Sequence, residues 1–402
     1  MNCEKDKGYH EIEIKRNKKK ETILMAKRFA LLILVGFIVL IIGCSGDSDP
    51  VLPLEEEVVE EEPDRIEKVI TEMSLRQKIA GLIIVGLDSN QVDDQVEQMW
   101  AEYPFGGVII YERNYIREDW LKDFIAELKD LSNPEFPLLV CIDEEGGSIS
   151  RLPGETFPAA AEMARLSEDD VYQVGQAMAE KLNGFGIMVN FAPVLDINTD
   201  PQNTVIGSRS FGGDPDIVST YGRALFRGME SQGVISVGKH YPGHGSTLID
   251  SHVDLPVLEK NKDELFAFEI IPFQKAVEAG IPMIMTAHLV VSGIDDKPAT
   301  MSKTLVDILR RDLKFEGVIV SDDLEMGALT ENYSWDETIV ETFLAGTDLL
   351  LIGHSYNLQV EAVHILEEAF HAGVFGDERL NSSLRRVMEM QENYYYQTEK
   401  KD

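Results

Sequence analysis

The chain has 402 residues, 44% hydrophobic and 27% charged, an ordinary globular composition with room for one large domain or two small ones. Its formal net charge is -34; the first 43 residues carry +4, so the remainder carries -38. Such a body repels polyanions, which argues against a nucleic-acid partner, and three scattered cysteines (Cys3, Cys44, Cys141) give neither a disulfide framework nor a C-x-x-C site.

In chain order, the first feature is an apolar run over 29–43, preceded by Lys27 and Arg28. It is short for a spanning helix and fits the core of a signal peptide. It ends Leu40-Ile41-Ile42-Gly43-Cys44 and is followed by small polar residues, which resembles a bacterial lipobox. The resemblance implies cleavage before Cys44, a lipid on its sulfur, and export to the outer face of the cell membrane. An uncleaved anchor is the alternative, and either reading tethers the body to a membrane. Met25-Ala-Lys-Arg is a second candidate start. Residues 44–63, with Glu55 to Glu57 and Glu60 to Glu62, are expected to form an extended acidic tether.

From residue 64 the chain alternates short apolar runs with helical periodicity, up to about 396, before a polar tail at 397–402. The expected strands are 81–85, 107–111, 137–142, 187–193, 234–239, 282–287, 317–321 and 348–352. The expected helices are 64–80, 92–102, 118–131, 168–183, 216–232, 263–279, 302–313, 335–345, 359–372 and 377–391. Eight buried strands alternating with helices predict an α/β fold, a single (β/α)₈ TIM barrel. A doubly wound open sheet is the alternative, weakened by the absence of G-x-G-x-x-G after the first strand.

Polar residues cluster where the expected strands end: Asp143-Glu144-Glu145, Asp196, Lys239-His240, His288 and Asp322-Asp323. In a barrel these converge on the face that carries active sites. The opposite strand ends show nothing comparable. Of the adjacent Asp322 and Asp323, one can face the pocket while the other makes structural hydrogen bonds, since neighbours in a strand point opposite ways. Taken alone, the pair would be read as a cap for the next helix. Lys239 and His240 can donate to sugar hydroxyls, Asp143 can accept, and Arg151 and Arg209 lie on nearby loops. Asp250 and His252 are two apart, and a carboxylate beside an imidazole sets up a proton shuttle. A pocket carboxylate with a separate shuttle is the equipment for a retaining displacement at an acetal carbon. His240, His244 and His252 raise the question of zinc. Pro242 and Gly243 break the helix that H-x-x-x-H ligation needs, so neither a metal nor another cofactor is expected.

These motifs resemble those of bacterial glycoside hydrolase family 3 β-N-acetylglucosaminidases: DEEGGSISR (143–151), NFAPVLDIN (190–198), GSRSFG (207–212), KHYPGHGSTLIDSH (239–252) and VSDDLEM (320–326). They stand in family order. The resemblance implies a nucleophile at Asp322, an acid/base at His252 with Asp250 as its partner, and N-acetylglucosamine held by Asp143, Arg151, Arg209, Lys239 and His240. It implies a β-N-acetylhexosaminidase that removes terminal N-acetylglucosamine from peptidoglycan fragments, acting on glycans or muropeptides without the second α/β sandwich domain of many relatives. A phosphorylase on the same site and a non-catalytic sugar-binding lipoprotein are the alternatives. A monomer is expected, although the sequence carries no signal for oligomeric state. Ser148, Ser150 and Ser246 depart from the family pattern; Asp is frequent at the last of these.

Overall fold

The computed structural model describes residues 64–154, 156–200, 203, 205–247, 251 and 255–399. The expected leader, Cys44 and tether, the tail beyond 399, and both Asp250 and His252 lie outside the described residues.

The eight strands are β1 (Ile83–Gly86), β2 (Gly107–Ile110), β3 (Leu139–Ile142), β4 (Val189–Asn190), β5 (Ile235–Tyr241), β6 (Met283–Thr286), β7 (Val318–Ser321) and β8 (Leu350–Ile352). All pair in parallel, in the order β8-β1-β2-β3-β4-β5-β6-β7. The ring closes where Val320 bridges Leu349 in parallel and the Leu324 N–H donates to the Leu351 carbonyl at 2.9 Å. Every strand residue is buried, which is why the runs are apolar throughout instead of alternating. The architecture is the expected (β/α)₈ barrel.

Ile109, Phe191, Met285 and Leu351 come from β2, the end of β4, β6 and β8. They form one four-membered layer from alternate strands, and they floor the cavity at the C-terminal mouth. Cys141 is a buried free thiol of the core, and burial pushes its pKa well up.

Several elements differ from expectation for local reasons. The helix expected over 64–80 is two, Arg65–Glu72 and Leu75–Ala80, because Met73 is extended and Ser74 forms a capping box with Gln77. The helix expected over 263–279 is also two, Lys262–Phe266 and Ile270–Glu278, with a turn between. β4 is shorter than expected, and Pro193 has no N–H to extend its ladder. β5 is longer and carries Lys239 and His240 inside it, with a register shift between Gly238 and Tyr241. Such a bulge lets two consecutive side chains reach the same mouth.

One expectation is corrected. Just before β8, at the barrel's other end, Asp348 is fully buried and binds Arg310, Arg386 and Ser383. The sequence pattern hid this hub because its cations come from helices, not from strand ends.

Candidate active site

After β3 the chain turns over the mouth through Gly146 and Gly147, at φ 88° and 61°. A Cβ on Gly147 would lie 2.6 Å from that of Ala159, so the turn requires glycine for space as well as conformation. Glu144, fully buried, holds this turn from beneath. Its carboxylate accepts from Ser150 Oγ at 2.7 Å, the Arg151 N–H at 2.9 Å and Lys181 Nζ at 3.3 Å. The brace leaves the Arg151 side chain on the cavity wall. Arg151 Nε is buried with no hydrogen-bond partner among the described residues, and its Nη1 stands 3.6 Å from Glu112. A buried donor left unmet costs about 1–3 kcal/mol, which a ligand oxygen would recover.

Next to it is a compact charge cluster. Lys239 Nζ donates to Asp143 Oδ1 at 2.5 Å and stands 2.7 Å from Glu145 Oε1. Arg209 grips Glu145 with two parallel bonds of 2.8 Å and reaches His240 Nε2 at 3.3 Å. His240 Nδ1 faces Asp196 Oδ2 at 2.6 Å, and the Asp196 carboxylate accepts the Nδ1–H hydrogen bond. Burial would raise the Glu145 pKa, but Lys239 and Arg209 outweigh it and hold that carboxyl well below its usual range. Burial likewise opposes charge on Lys239, yet Asp143 and Glu145 raise its pKa. Glu145, Lys239 and Arg209 therefore all keep their charge. Arg209 has spent most of its donors on Glu145, His240 and the Val205 carbonyl, and so braces more than it binds.

At the end of β7 the two aspartates divide their work. Asp323 Oδ1 accepts from the Glu325 and Gly353 N–H groups, both at 3.1 Å, and Oδ2 stands 3.2 Å from His354 Nε2. Asp322 lines the cavity and accepts the Asp323 N–H at 2.8 Å. Burial would raise the Asp322 pKa; His240, His288 and that N–H reverse the sign and keep it below its usual range. His288 is spent on structure: Nε2 donates to the Asp323 carbonyl at 2.8 Å, and Nδ1 meets Thr300 Oγ1 at 2.9 Å.

The mouth holds a cavity of about 390 Å³ and an adjoining one of about 120 Å³, which share Asp143, Arg151, Asp322 and Met326. The structure thus brings together Asp143, Arg151, Arg209, Lys239, His240 and Asp322, all named from sequence. It adds a wall that sequence reasoning missed, built from Tyr111, Arg113 and His354. Tyr111 stacks on His354 with ring centroids 5.3 Å apart, and Arg113 lies 4.2 Å from the Tyr111 centroid. The hydrogen bond to Asp323 raises the His354 pKa. These residues follow β2 and β8, so the strand-end rule was the signal that could have found them. Among the described residues no group of three or more His, Cys, Asp or Glu could hold a metal ion.

The arrangement resembles known proteins. The model of the glycosyl hydrolase family 3 N-terminal domain matches residues 74–390. Beta-hexosaminidase A of Pseudoalteromonas piscicida is 30% identical over 326 residues, 74% of this chain and 54% of that protein. The chain thus spans about half the length of that relative. A beta-hexosaminidase of Neisseria meningitidis serogroup C is 36% identical over 283 residues, 68% of this chain and 78% of that protein. Among solved structures, a glycoside hydrolase family 3 β-N-acetylglucosaminidase from Paenibacillus superposes with a TM-score of 0.78 at 34% identity, covering 80% of this chain and 63% of that one. A family 3 glycosyl hydrolase from Mycobacterium smegmatis gives 0.73 at 30% identity, covering 80% and 98%.

Proposed function

The chain belongs to glycosyl hydrolase family 3, and from that premise we propose that it is a β-N-acetylhexosaminidase releasing terminal β-linked N-acetylglucosamine with retention. The observation that carries the reading is Asp322. It is held ionised on the wall shared by both parts of the cavity, while its neighbour Asp323 is spent on backbone N–H groups.

In this mechanism the Asp322 carboxylate attacks the anomeric carbon. His252, oriented by Asp250, gives its proton to the departing oxygen, so neither fragment leaves as an alkoxide. The covalent glycosyl-enzyme is then opened by water, whose proton returns to His252. The free Arg151 Nε, the third Lys239 hydrogen and the Asp143 carboxylate supply donors and an acceptor to the sugar hydroxyls. Arg209 and His240 keep that set in place, and the layer of Ile109, Phe191, Met285 and Leu351 offers an apolar floor.

The proposal extends to place and substrate. Residues 1–43 would be a signal peptide, Cys44 the lipid-bearing residue and 44–63 a tether, which puts the catalytic body (64–396) outside the cell, where peptidoglycan fragments are available. The apolar run ending in Leu-Ile-Ile-Gly-Cys supports this arm. Protein found soluble in fractionated cells, with no lipid on Cys44, would remove it.

The test is incubation with 4-nitrophenyl β-N-acetylglucosaminide and the matching β-glucoside, each with and without phosphate. Release from the N-acetyl substrate is expected, lost by about 10³-fold or more in Asp322→Asn. A phosphate-dependent sugar 1-phosphate would make it a phosphorylase instead. No release by the folded protein would leave a sugar-binding lipoprotein.

A further inference from the structure

The two parts of the cavity at the mouth differ in their walls. The smaller, about 120 Å³, carries the charged cluster around Lys239 and His240. The larger, about 390 Å³, has Tyr111, Arg113 and His354 on a wall that the smaller does not share. Asp322 borders both. In the proposed displacement the anomeric carbon stands at Asp322 and the cluster holds the sugar hydroxyls. The equatorial bond to the leaving oxygen of a β-linked pyranose points away from its C4, and so away from the cluster toward the larger part. Every member of the wall there is tied down. The Tyr111 N–H donates to Asn114 Oδ1 at 2.9 Å. The Arg113 guanidinium lies 4.2 Å from the Tyr111 ring centroid, and its Nη2 donates to the Gly353 carbonyl at 2.7 Å. The N–H groups of His354 and Ser355 donate to Glu325, at 2.6 and 3.0 Å. The His354 ring stacks on Tyr111 with the two planes 21° apart, and its Nε2 stands 3.2 Å from Asp323 Oδ2. The close fit needs glycine at 353, where a Cβ would lie 2.3 Å from Tyr111 Oη and 2.5 Å from Asp323 Oδ2. With its ring so fixed, the His354 side chain is still 55% exposed.

We propose that His354, stacked on Tyr111, is the platform for the leaving side of the substrate: its open face packs against the ring of the sugar that is released, and so favours leaving groups that carry a pyranose over small ones. The inference rests on the proposed function for the bond that is broken and goes beyond it in naming the residue that reads the leaving group. One face of a pyranose is a patch of C–H groups, which packs on an aromatic ring as apolar surface does. A ring locked before binding has little ordering cost left to meet when the sugar arrives. Holding Asp323 is the other duty open to His354. It accounts for Nε2 but not for the stack or the exposed face, and Asp323 already accepts two backbone N–H groups on Oδ1.

The test uses the whole protein and two variants that separate the duties. His354→Gln keeps a donor for Asp323 and has no ring; His354→Phe keeps a ring and has no donor. The substrates are chitobiose and methyl β-N-acetylglucosaminide. Both release an unactivated alcohol from the same sugar, and they differ in whether that alcohol carries a ring. The ratio of kcat/KM for chitobiose to that for the methyl glycoside should fall about 5- to 10-fold in His354→Gln and stay within about twofold of wild type in His354→Phe. An unchanged ratio in His354→Gln, or a fall in His354→Phe at least as large, would overturn the platform. If the wild-type protein hydrolyses neither substrate, the proposed function fails, and chitobiose binding followed by calorimetry decides the platform by itself. A dissociation constant raised about 5- to 10-fold in His354→Gln and kept in His354→Phe would support it. Equal affinity in all three proteins, or no binding by the wild type, would overturn it.

Discussion

Two cavities of about 390 Å³ lie in this barrel, one at the C-terminal mouth and one at the opposite end beside Ile281, Phe315, Arg386 and Tyr394. Size does not separate them; the state of their charges does. At the far end Asp348 is saturated: Arg310, Arg386, Ser383 and the Ile319 N–H all converge on it, and the hub joins the start of β8 to helices. At the mouth, charges are matched too, but valency is left over. Arg151 Nε and His244 Nε2 are buried without partners among the described residues, and the Asp322 carboxylate faces open volume. One end spends its electrostatics on holding the ring, and the other keeps part of it for a ligand.

The sharpest way to break that contrast is Asp348→Ala. It strands two guanidinium groups in a buried site, and about 3–5 kcal/mol of stability should be lost in denaturant titrations. KM of the remaining folded enzyme should not move, and a large change in KM would mean that the two ends are not separate. Arg151→Ala should do the reverse. No buried bond of the folded protein is lost at Nε, so the unfolding midpoint should stay within about 0.5 kcal/mol. Loss of a charged hydrogen bond to substrate, about 1.5–3 kcal/mol, should lower kcat/KM by about 10- to 100-fold. A destabilised variant of normal activity would sink this reading.

The smallest effect concerns Glu230, which ends the helix Pro215–Glu230 with its Oε1 buried and unpartnered. Burial raises its carboxyl to about 7, against the pull of Arg227. The folded form thus holds a proton that the unfolded chain, titrating near 4.5, has already lost. Stability contributed here is complete below pH 4.5 and declines as pH rises toward 7. Glu230→Gln removes that decline. Wild type and variant should melt together at pH 4, and the variant should be the more stable by about 1–2 kcal/mol at pH 8. Parallel pH profiles would show that this carboxyl does not titrate there.

The barrel was legible because parallel strands buried on both faces leave uninterrupted apolar runs, such as Val318–Ser321, with polar residues at one end. Asp143, Lys239, His240 and Asp322 could be placed at the mouth from the strand-end pattern, whereas Arg151 and Arg209, on loops, were given site roles by the family resemblance. What the sequence could not carry is which distant residues meet. Arg209 finds Glu145 from 64 positions away, and Arg113 finds the Gly353 carbonyl from 240. Glu144 and Glu145 read as one acidic doublet, yet the first braces a turn and the second neutralises Lys239 and Arg209. Asp322 and Asp323 could be called a divided pair from strand alternation, but only the N–H groups of Glu325 and Gly353 identify the structural member.

Closure of the sheet has a topological consequence. β1 pairs with β8, and the outermost helices of the described body are joined as well: Arg65 meets Glu392, while Arg385 reaches Asp64 and Glu67. The barrel is in effect a circle whose break falls between two adjacent helices. In such a circle no strand is privileged as first, so a circular permutant opened at another surface turn would inherit the same mouth and the same neighbours around it.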